Sequence, residues 1–434
     1  MIKRIIQLGS LFPIILTIFF IKNYSINVPY QDQWEMVPLF QKVIHAEISI
    51  FDLIAQHNEH RILFPRLIQI SLAFLTNWNI KNIYWISFIL LCAIYFFLAL
   101  FMQNICKNKY FCIYLQFMLS WIVFSPIQYE GWFTGMNEFH LTILAMLMTI
   151  YLLNLPLLGT TATLSKIFAV FLSIIGSYSH INGLLIWIVG GILIFYRRQF
   201  LFLIFWMLLS LMTYLIYFIN YSKPIYHPSL MYFFQNPLDF LTYFFGQIGS
   251  VLFISEIGIS ALIGIMIFLI ALFNLNSLLK KRSLIKSCIP WLMIFLFSLL
   301  SILAIAVARA GFGTTQALSS RYIVYSSLMF ISTIEVFYYL VGNYKIKFFS
   351  HDLFILLFSF VLIFSIGQNY LKGVDYIKKY YSEMSKIKYC LDYYYRVDST
   401  CLYSVYPNKE VLLERLEYIK QLGWGGFSEF AFSR

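Results

Sequence analysis

The sequence predicts an all-α polytopic membrane protein with about eleven transmembrane helices, its N-terminus inside and its C-terminus outside. Three observations predict it. Hydrophobic residues make up 61% of the 434, and mean hydropathy is +0.77. Charged residues are only 12%, about half of what a soluble domain carries. Apolar runs long enough to span a bilayer recur from end to end.

The predicted spans are 4–22, 83–102, 110–126, 138–155, 166–179, 184–196, 200–219, 257–275, 289–308, 322–342 and 353–370. The first follows Met-Ile-Lys-Arg without a small-residue cleavage site, so it reads as a retained anchor. The runs 166–179 and 184–196 are short for a bilayer core. They either extend into neighbouring residues or form half-helices around His180-Ile181-Asn182-Gly183. The run 240–255 is diluted by Asp239, Gly246, Gln247, Gly249 and Glu256. It is read as lying along the outer surface or re-entering.

Charge sets the sidedness. With Lys3 and Arg4 inside, the inner connections hold Lys107, Lys109, Lys166, Arg197, Arg198, Lys280, Lys281, Arg282, Lys286, Lys345 and Lys347. The short outer connections hold Lys223, Arg309 and Arg321. This is the Lys/Arg bias toward the cytoplasmic side, and it accounts for the net charge of +12 without nucleic acid as a partner. Two large outer segments result: a long first loop, 23–82, with short surface helices, and a tail, 371–434. The expected division is therefore a membrane domain, 1–370, and an outer cap. In the tail, Leu412, Leu416 and Ile419 share one face of a helix after Pro407-Asn408. Cys390 and Cys401 both fall there, where an oxidising compartment would allow a bridge.

The acids cluster on the outer side. Only Glu335 and Asp352 are placed inside, and six of the seven histidines are also outward. Acidic residues do little to set topology, so a reaction centre in the outer loops is the simplest cause. Asp32, in Tyr-Gln-Asp-Gln-Trp-Glu, follows the first span. It would serve as a general base near the membrane surface or as the N-cap of a helix 33–46. The segment Gln56-His57-Asn58-Glu59-His60-Arg61 leads to Arg66. Arg61 and Arg66 suit a phosphate, whose oxygens match forked guanidinium donors, or they snorkel at the interface. His57 and His60, three apart, lack a third ligand at metal-motif spacing.

Arg309, in Ala-Arg-Ala-Gly-Phe-Gly, and Arg321, in Ser-Ser-Arg-Tyr, lie against the charge bias and at membrane depth. Ionisable groups there are costly and usually functional. An anion held by this hairpin, with Gly311 and Gly313 admitting a close ligand, would be a lipid phosphate. Trp132, beside Glu130, offers a sugar-stacking face or an interfacial aromatic. His180 and Asn182 would bond an acceptor hydroxyl or close a helical break.

The first span, the long loop opening on Asp32, the His60-Arg61 cluster and the arginine hairpin at 308–322 together resemble the GT-C superfamily of membrane glycosyltransferases. Size and tail further resemble the bacterial O-antigen-modifying glucosyltransferases of serotype conversion. The resemblance implies a polyprenyl-phosphate-sugar donor, a glycan acceptor such as lipid-linked O-antigen, and a site facing the periplasm of a bacterial inner membrane. It implies no cofactor and needs no divalent metal; no Asp-X-Asp site occurs. Many such enzymes carry paired acids, whereas Asp32 and Glu35 are separated by two residues, so the base stays open between them. His60, Arg61, Arg66, Arg309, Arg321 and Tyr322 are the candidates for the donor phosphate. Trp34, Glu130, Trp132, His180 and Asn182 are those for the sugar or acceptor. A polysaccharide polymerase and a lipid-linked sugar flippase are the rival functions.

Overall fold

A computed structural model describes residues 2–106, 109–133, 135, 137–156, 159–344 and 351–427. Lys107, Lys345 and Lys347 lie outside the described residues, as do the side chains of Lys3, Arg4, Lys109, His351 and Asp352. Among the described residues the protein is all-α apart from one two-stranded ribbon. Eight helical segments among the described residues are long and apolar enough to cross a membrane, so the chain is a multi-pass membrane protein.

The chain opens with α1 (Ile2–Tyr24). The first loop then holds α2 (Val37–Ile44), α3 (Ile50–Ile54), the hairpin β1 (Gln56–His57) and β2 (His60–Arg61), and α4 (Leu63–Thr76). The body follows as α5 (Lys81–Gln103), α6 (Lys109–Val123), α7 (Tyr129–Phe133), α8 (Asn137–Asn154), α9 (Gly159–Ser177), α10 (Leu185–Tyr196) and α11 (Phe200–Phe218). Next come α12 (Tyr232–Gln235), α13 (Pro237–Gly249), α14 (Ile257–Lys280), α15 (Ile285–Arg309), α16 (Ile323–Tyr344) and α17 (His351–Asp392). The chain ends with α18 (Ser399–Val405) and α19 (Lys409–Leu422).

Several elements differ from expectation. The run 166–179 begins earlier, at Gly159, and so reaches spanning length; its partner stays a half-length helix, α10, entered by a 3-10 turn over Ile181–Leu184. The helix predicted for 33–46 is instead a 3-10 turn, Gln31–Met36, followed by α2. The boundary drawn at 370 falls inside α17, a continuous 42-residue helix, because charged and aromatic residues past 371 break the apolar run but not the helix. Two cysteine pairs are joined, Cys390–Cys401 and Cys106–Cys112; the sequence reading considers only the first.

Two packing features position the site. First, α13 lies very close to α14. A Cβ on Gly249 would sit 1.8 Å from Ser260 O, and one on Gly264 would sit 1.9 Å from Phe245 O. Small residues permit such backbone contact between apolar helices. The pair braces the turn after α15, where the Tyr243 hydroxyl meets Gln316 Oε1 at 3.4 Å. Second, the C-terminal cap seats on the first loop. Asn408 caps α19 through Val411 N–H, Gly423 ends it in the left-handed region, and Leu412, Leu416 and Ile419 are buried. Trp424 packs edge-on against Phe40 and Phe74, and Gly425 N–H donates to Asn77 O.

Glu35 belongs to this seat. Its carboxylate accepts from the Tyr406 hydroxyl and from Arg415 Nη1 at 3.1 Å. Burial opposes its ionisation, but Tyr406 and Arg415 outweigh that and hold it below its ordinary value of 4.5. The stabilisation is therefore full above pH 4.5 and is lost as pH falls through the lower folded value. Arg415→Ala should make residues 393–427 more susceptible to limited proteolysis at neutral pH, whereas the parent chain should reach that susceptibility only below pH 4.5. Equal protection of both chains at neutral pH would remove the ion pair from cap docking.

Candidate active site

The site forms where the first loop meets the starts of α10 and α16 and the ends of α11 and α15. Tyr30 N–H donates to Gln33 Oε1 at 2.9 Å, so Gln33, not Asp32, satisfies the start of the 3-10 turn. The capping role weighed for Asp32 is thereby taken, and its carboxylate is left to face a cavity. The β1–β2 hairpin pairs His57 with His60 across the strands, not along a helix, so the helical metal spacing does not apply. His57 Nε2 lies 3.4 Å from Asp32 Oδ2. That contact is the main reason Asp32 sits below its ordinary value, against a burial effect, with a smaller contribution from the Arg321 charge. The carboxylate is 69% exposed yet walled by protein, as a group in a cavity mouth should be.

Two cavities meet at Asp32, His57, His60 and Glu138. The larger, about 480 Å³, has a charged rim of Asp32, Glu59, Lys223, Arg309 and Arg321. Its apolar wall comes from Leu184, Leu185, Phe218, Ala304 and Ile305. His180, Asn182 and Tyr322 also line it. The smaller, about 130 Å³, is lined by Gln31, Gln33, Gln69, Tyr30 and Tyr380 together with the charged Glu35 and Arg66.

Arg309 and Arg321 thus share one cavity with Asp32. Arg321 Nε is buried and has no hydrogen-bond partner among the described residues, and its guanidinium carbon lies 5.3 Å from the Tyr322 ring centre. Arg309 pairs with Glu59, whose carboxylate also lies 3.6 Å from His60 Nε2 and 3.6 Å from His227 Nε2. His60 Nδ1 faces Ile181 N–H and its ring lies against His180, with centres 4.1 Å apart. Burial first, then the nearby His57 and Arg309 charges, push His60 down to about 3, so it is a neutral imidazole. Among the described residues no group of three or more His, Cys, Asp or Glu is arranged to hold a metal.

Other candidates lie outside the larger cavity. Arg61 is buried and spends its guanidinium on the carbonyls of Ile54, Tyr217 and Ile219. Arg66 Nη1 is likewise directed at the carbonyls of Asp52, Leu53 and Ala55. Arg61 thus clamps the loop and has no fork left for a phosphate, whereas Arg66 clamps it through one nitrogen and lines the smaller cavity. Glu35 serves the cap, which leaves Asp32 as the acid of that pair facing the larger cavity. Trp34 is fully buried, donating to Pro29 O and packed edge-on to Trp78. Trp132 is also fully buried, so neither presents a stacking face. Glu130 Oε2 accepts Arg321 N–H at 2.9 Å and so positions the arginine rather than a sugar. The close approach at Gly311 is made by Pro228, since a Cβ would sit 2.4 Å from it, and not by a ligand.

The sequence reading leaves Glu59, His57, Glu138, Lys223 and His227 out of the site. Comparison with protein-family models, with curated proteins and with solved structures finds no match to this chain. The site must therefore be read from its own geometry.

The clamp reading of Arg61 has its own test. Arg61→Met removes the donors of three carbonyls, and a hydrogen bond from a charged donor is worth about 1.5–3 kcal/mol. The variant should melt well below the parent in detergent, while its folded fraction keeps its affinity for phosphate. Unchanged melting with weakened phosphate binding would return Arg61 to the anion site.

Proposed function

We propose that this protein is an inverting glycosyltransferase. It moves a sugar, glucose being the first to test, from a polyprenyl-phosphate donor to a glycan acceptor such as lipid-linked O-antigen. In this reading it crosses a bacterial inner membrane eleven times, counting α8, α10 and α17 with the eight longer segments. The N-terminus lies inside, the C-terminal cap outside, and the site opens to the periplasm.

One observation carries the proposal: a carboxylate and two arginines share a single cavity that continues into an apolar wall. That combination suits a ligand with a phosphate at one end and a hydrocarbon chain at the other. The arginines meet the phosphate, and the chain lies along Leu184, Leu185 and Phe218. Burial of the chain supplies binding energy remote from the reacting carbon. The smaller cavity, across Asp32, brings glutamine and tyrosine side chains that suit a polyhydroxylated acceptor.

The reaction then balances simply. An acceptor hydroxyl attacks the anomeric carbon from the face opposite the phosphate. Asp32 takes its proton. The carbon–oxygen bond to phosphate breaks, and its electron pair stays on the phosphate oxygen, where Arg309 and Arg321 stabilise the added charge.

The test is an assay of membranes containing the protein with radiolabelled polyprenyl-phosphate sugars, beside lipid-diphosphate oligosaccharides. Consumption of one monophosphate sugar, with label passing to a glycan, is expected. Consumption of the diphosphate oligosaccharides alone would replace this reading with a polymerase.

A further inference from the structure

The two arginines of the cavity are in different states. Arg321 has a buried, unbonded Nε, whereas Arg309 is already engaged. Its partner is Glu59, and both side chains are only 17% exposed. The same carboxylate has His60 Nε2 and His227 Nε2 each 3.6 Å away, on different oxygens. Because His60 Nδ1 faces the Ile181 amide hydrogen, the proton of the neutral ring sits on Nε2, directed at Glu59. A guanidinium and two imidazoles therefore converge on one anion, and that anion belongs to the protein.

These donors come from three separate parts of the chain. Arg309 ends α15, His60 lies on β2, and His227 lies on the segment between α11 and α12. That segment lines the cavity through Lys223, Pro224, His227 and Pro228. Gln56 holds one end by two hydrogen bonds to Ser222, and Pro228 packs on Gly311 at the other. Glu59 sits at the hairpin turn beneath it, next to Asn58, whose φ is +49°. Arg61 fixes the hairpin base, and Gln56 Nε2 and the Tyr217 hydroxyl hold the carbonyls of Asn58 and Glu59, so displacement of the carboxylate requires rotation of the Glu59 side chain with the backbone in place.

A buried guanidinium without a counter-ion is costly, so an empty anion site needs an internal substitute. A carboxylate is the natural one, because carboxylate and phosphate oxygens accept the same forked donors. We propose that Glu59 is that substitute: its carboxylate holds Arg309 and His227 in the empty cavity, and the phosphate of the ligand displaces it. This rests on the reading of the cavity as a lipid-phosphate site and adds a positioning role to it. It also gives a route for release. Transfer leaves a phosphate monoester with one more negative charge than the donor, which two free arginines would retain. Return of Glu59 to Arg309 competes the product out.

The experiment measures binding of farnesyl phosphate, and separately of inorganic phosphate, to the purified full chain in detergent. The chains are the parent, Glu59→Gln, Glu59→Asp, Arg309→Ala and Glu59→Gln/Arg309→Ala. Glu59→Gln removes the competitor and should bind farnesyl phosphate at least about 10-fold tighter, equivalent to about 1.4 kcal/mol. The double variant should lose that gain. Glu59→Asp keeps the charge but withdraws it, so it should fall between, and it serves if the amide variant does not fold. In turnover, Glu59→Gln should lower KM and kcat together, as slow release requires; a merely structural role would raise KM.

If the parent binds farnesyl phosphate, Arg309→Ala weakens it, and neither Glu59 variant tightens it, the displacement proposal is overturned while the lipid-phosphate reading stands. Tightening toward inorganic phosphate with no advantage for farnesyl phosphate keeps the displacement and overturns the lipid reading. If no chain binds either probe, both fall.

Discussion

Asp32→Asn should lower sugar transfer by about 10³-fold, the middle of the range for loss of a general base, with the protein still inserted and folded. The substitution is nearly isosteric and keeps an oxygen for His57, so the loop should not rearrange. What it removes is the ability to accept a proton. The contact with His57 holds Asp32 below its ordinary value of 3.8, so the carboxylate is ionised at neutral pH and remains so well into acid. The acid limb of kcat/KM should accordingly lie below pH 3.8, and His57→Ala should move it upward. A low-pKa carboxylate is a modest base, but the incoming phosphate adds a negative charge nearby and raises its proton affinity. Assays on purified protein across pH would decide this. Wild-type activity in Asp32→Asn would remove Asp32 from the mechanism.

Arg321→Ala should cost about 10²–10³-fold in kcat/KM for the lipid donor, comparable to loss of a preorganised donor to a developing oxyanion. Arg321 is expected to matter more than Arg309 because, unlike Arg309 with Glu59, it is ion-paired with no carboxylate among the described residues. Its Nε has no hydrogen-bond partner among the described residues, and Glu130 accepts its backbone N–H. Arg321→Lys keeps the charge without the planar fork, so it should recover only part of the loss. Measuring kcat and KM separately distinguishes the effects. A change in KM alone assigns Arg321 to binding the ground state, and a fall in kcat assigns it to the leaving group. No change in either would dissociate the hairpin from the phosphate.

How much of this was legible in the sequence follows from the range of the interactions. Helices declare themselves locally, and nine of the eleven predicted spans have a helix of nearly the expected bounds; 166–179 starts earlier, at Gly159, and the last is the front part of α17. The grouping of Asp32 with the arginines near 309 and 321 came from sidedness, which the Lys/Arg bias encodes along the chain. Residue type alone could not separate Arg61 from Arg309. Arg61 is spent partly on two carbonyls more than 150 positions away, those of Tyr217 and Ile219, contacts no spacing reveals. The same holds for Glu59 with His227 and Arg309, and for Glu35 with Arg415. Trp34 and Trp132 look like interfacial aromatics until their neighbours bury them. Glu138 sits in the first turn of α8, where an acid favours the helix N-terminus, so nothing local marks it as part of both cavities.

The direct test is a cryo-EM map of the protein bound to a non-transferable polyprenyl-phosphate sugar analogue. The account predicts the phosphate between Arg309 and Arg321, the sugar carbon facing Asp32, and the chain along Leu184, Leu185 and Phe218. Density for the analogue in the apolar groove between α14, α15 and α16, lined by Leu272, Leu296 and Val336, with the Asp32 cavity empty, would contradict it.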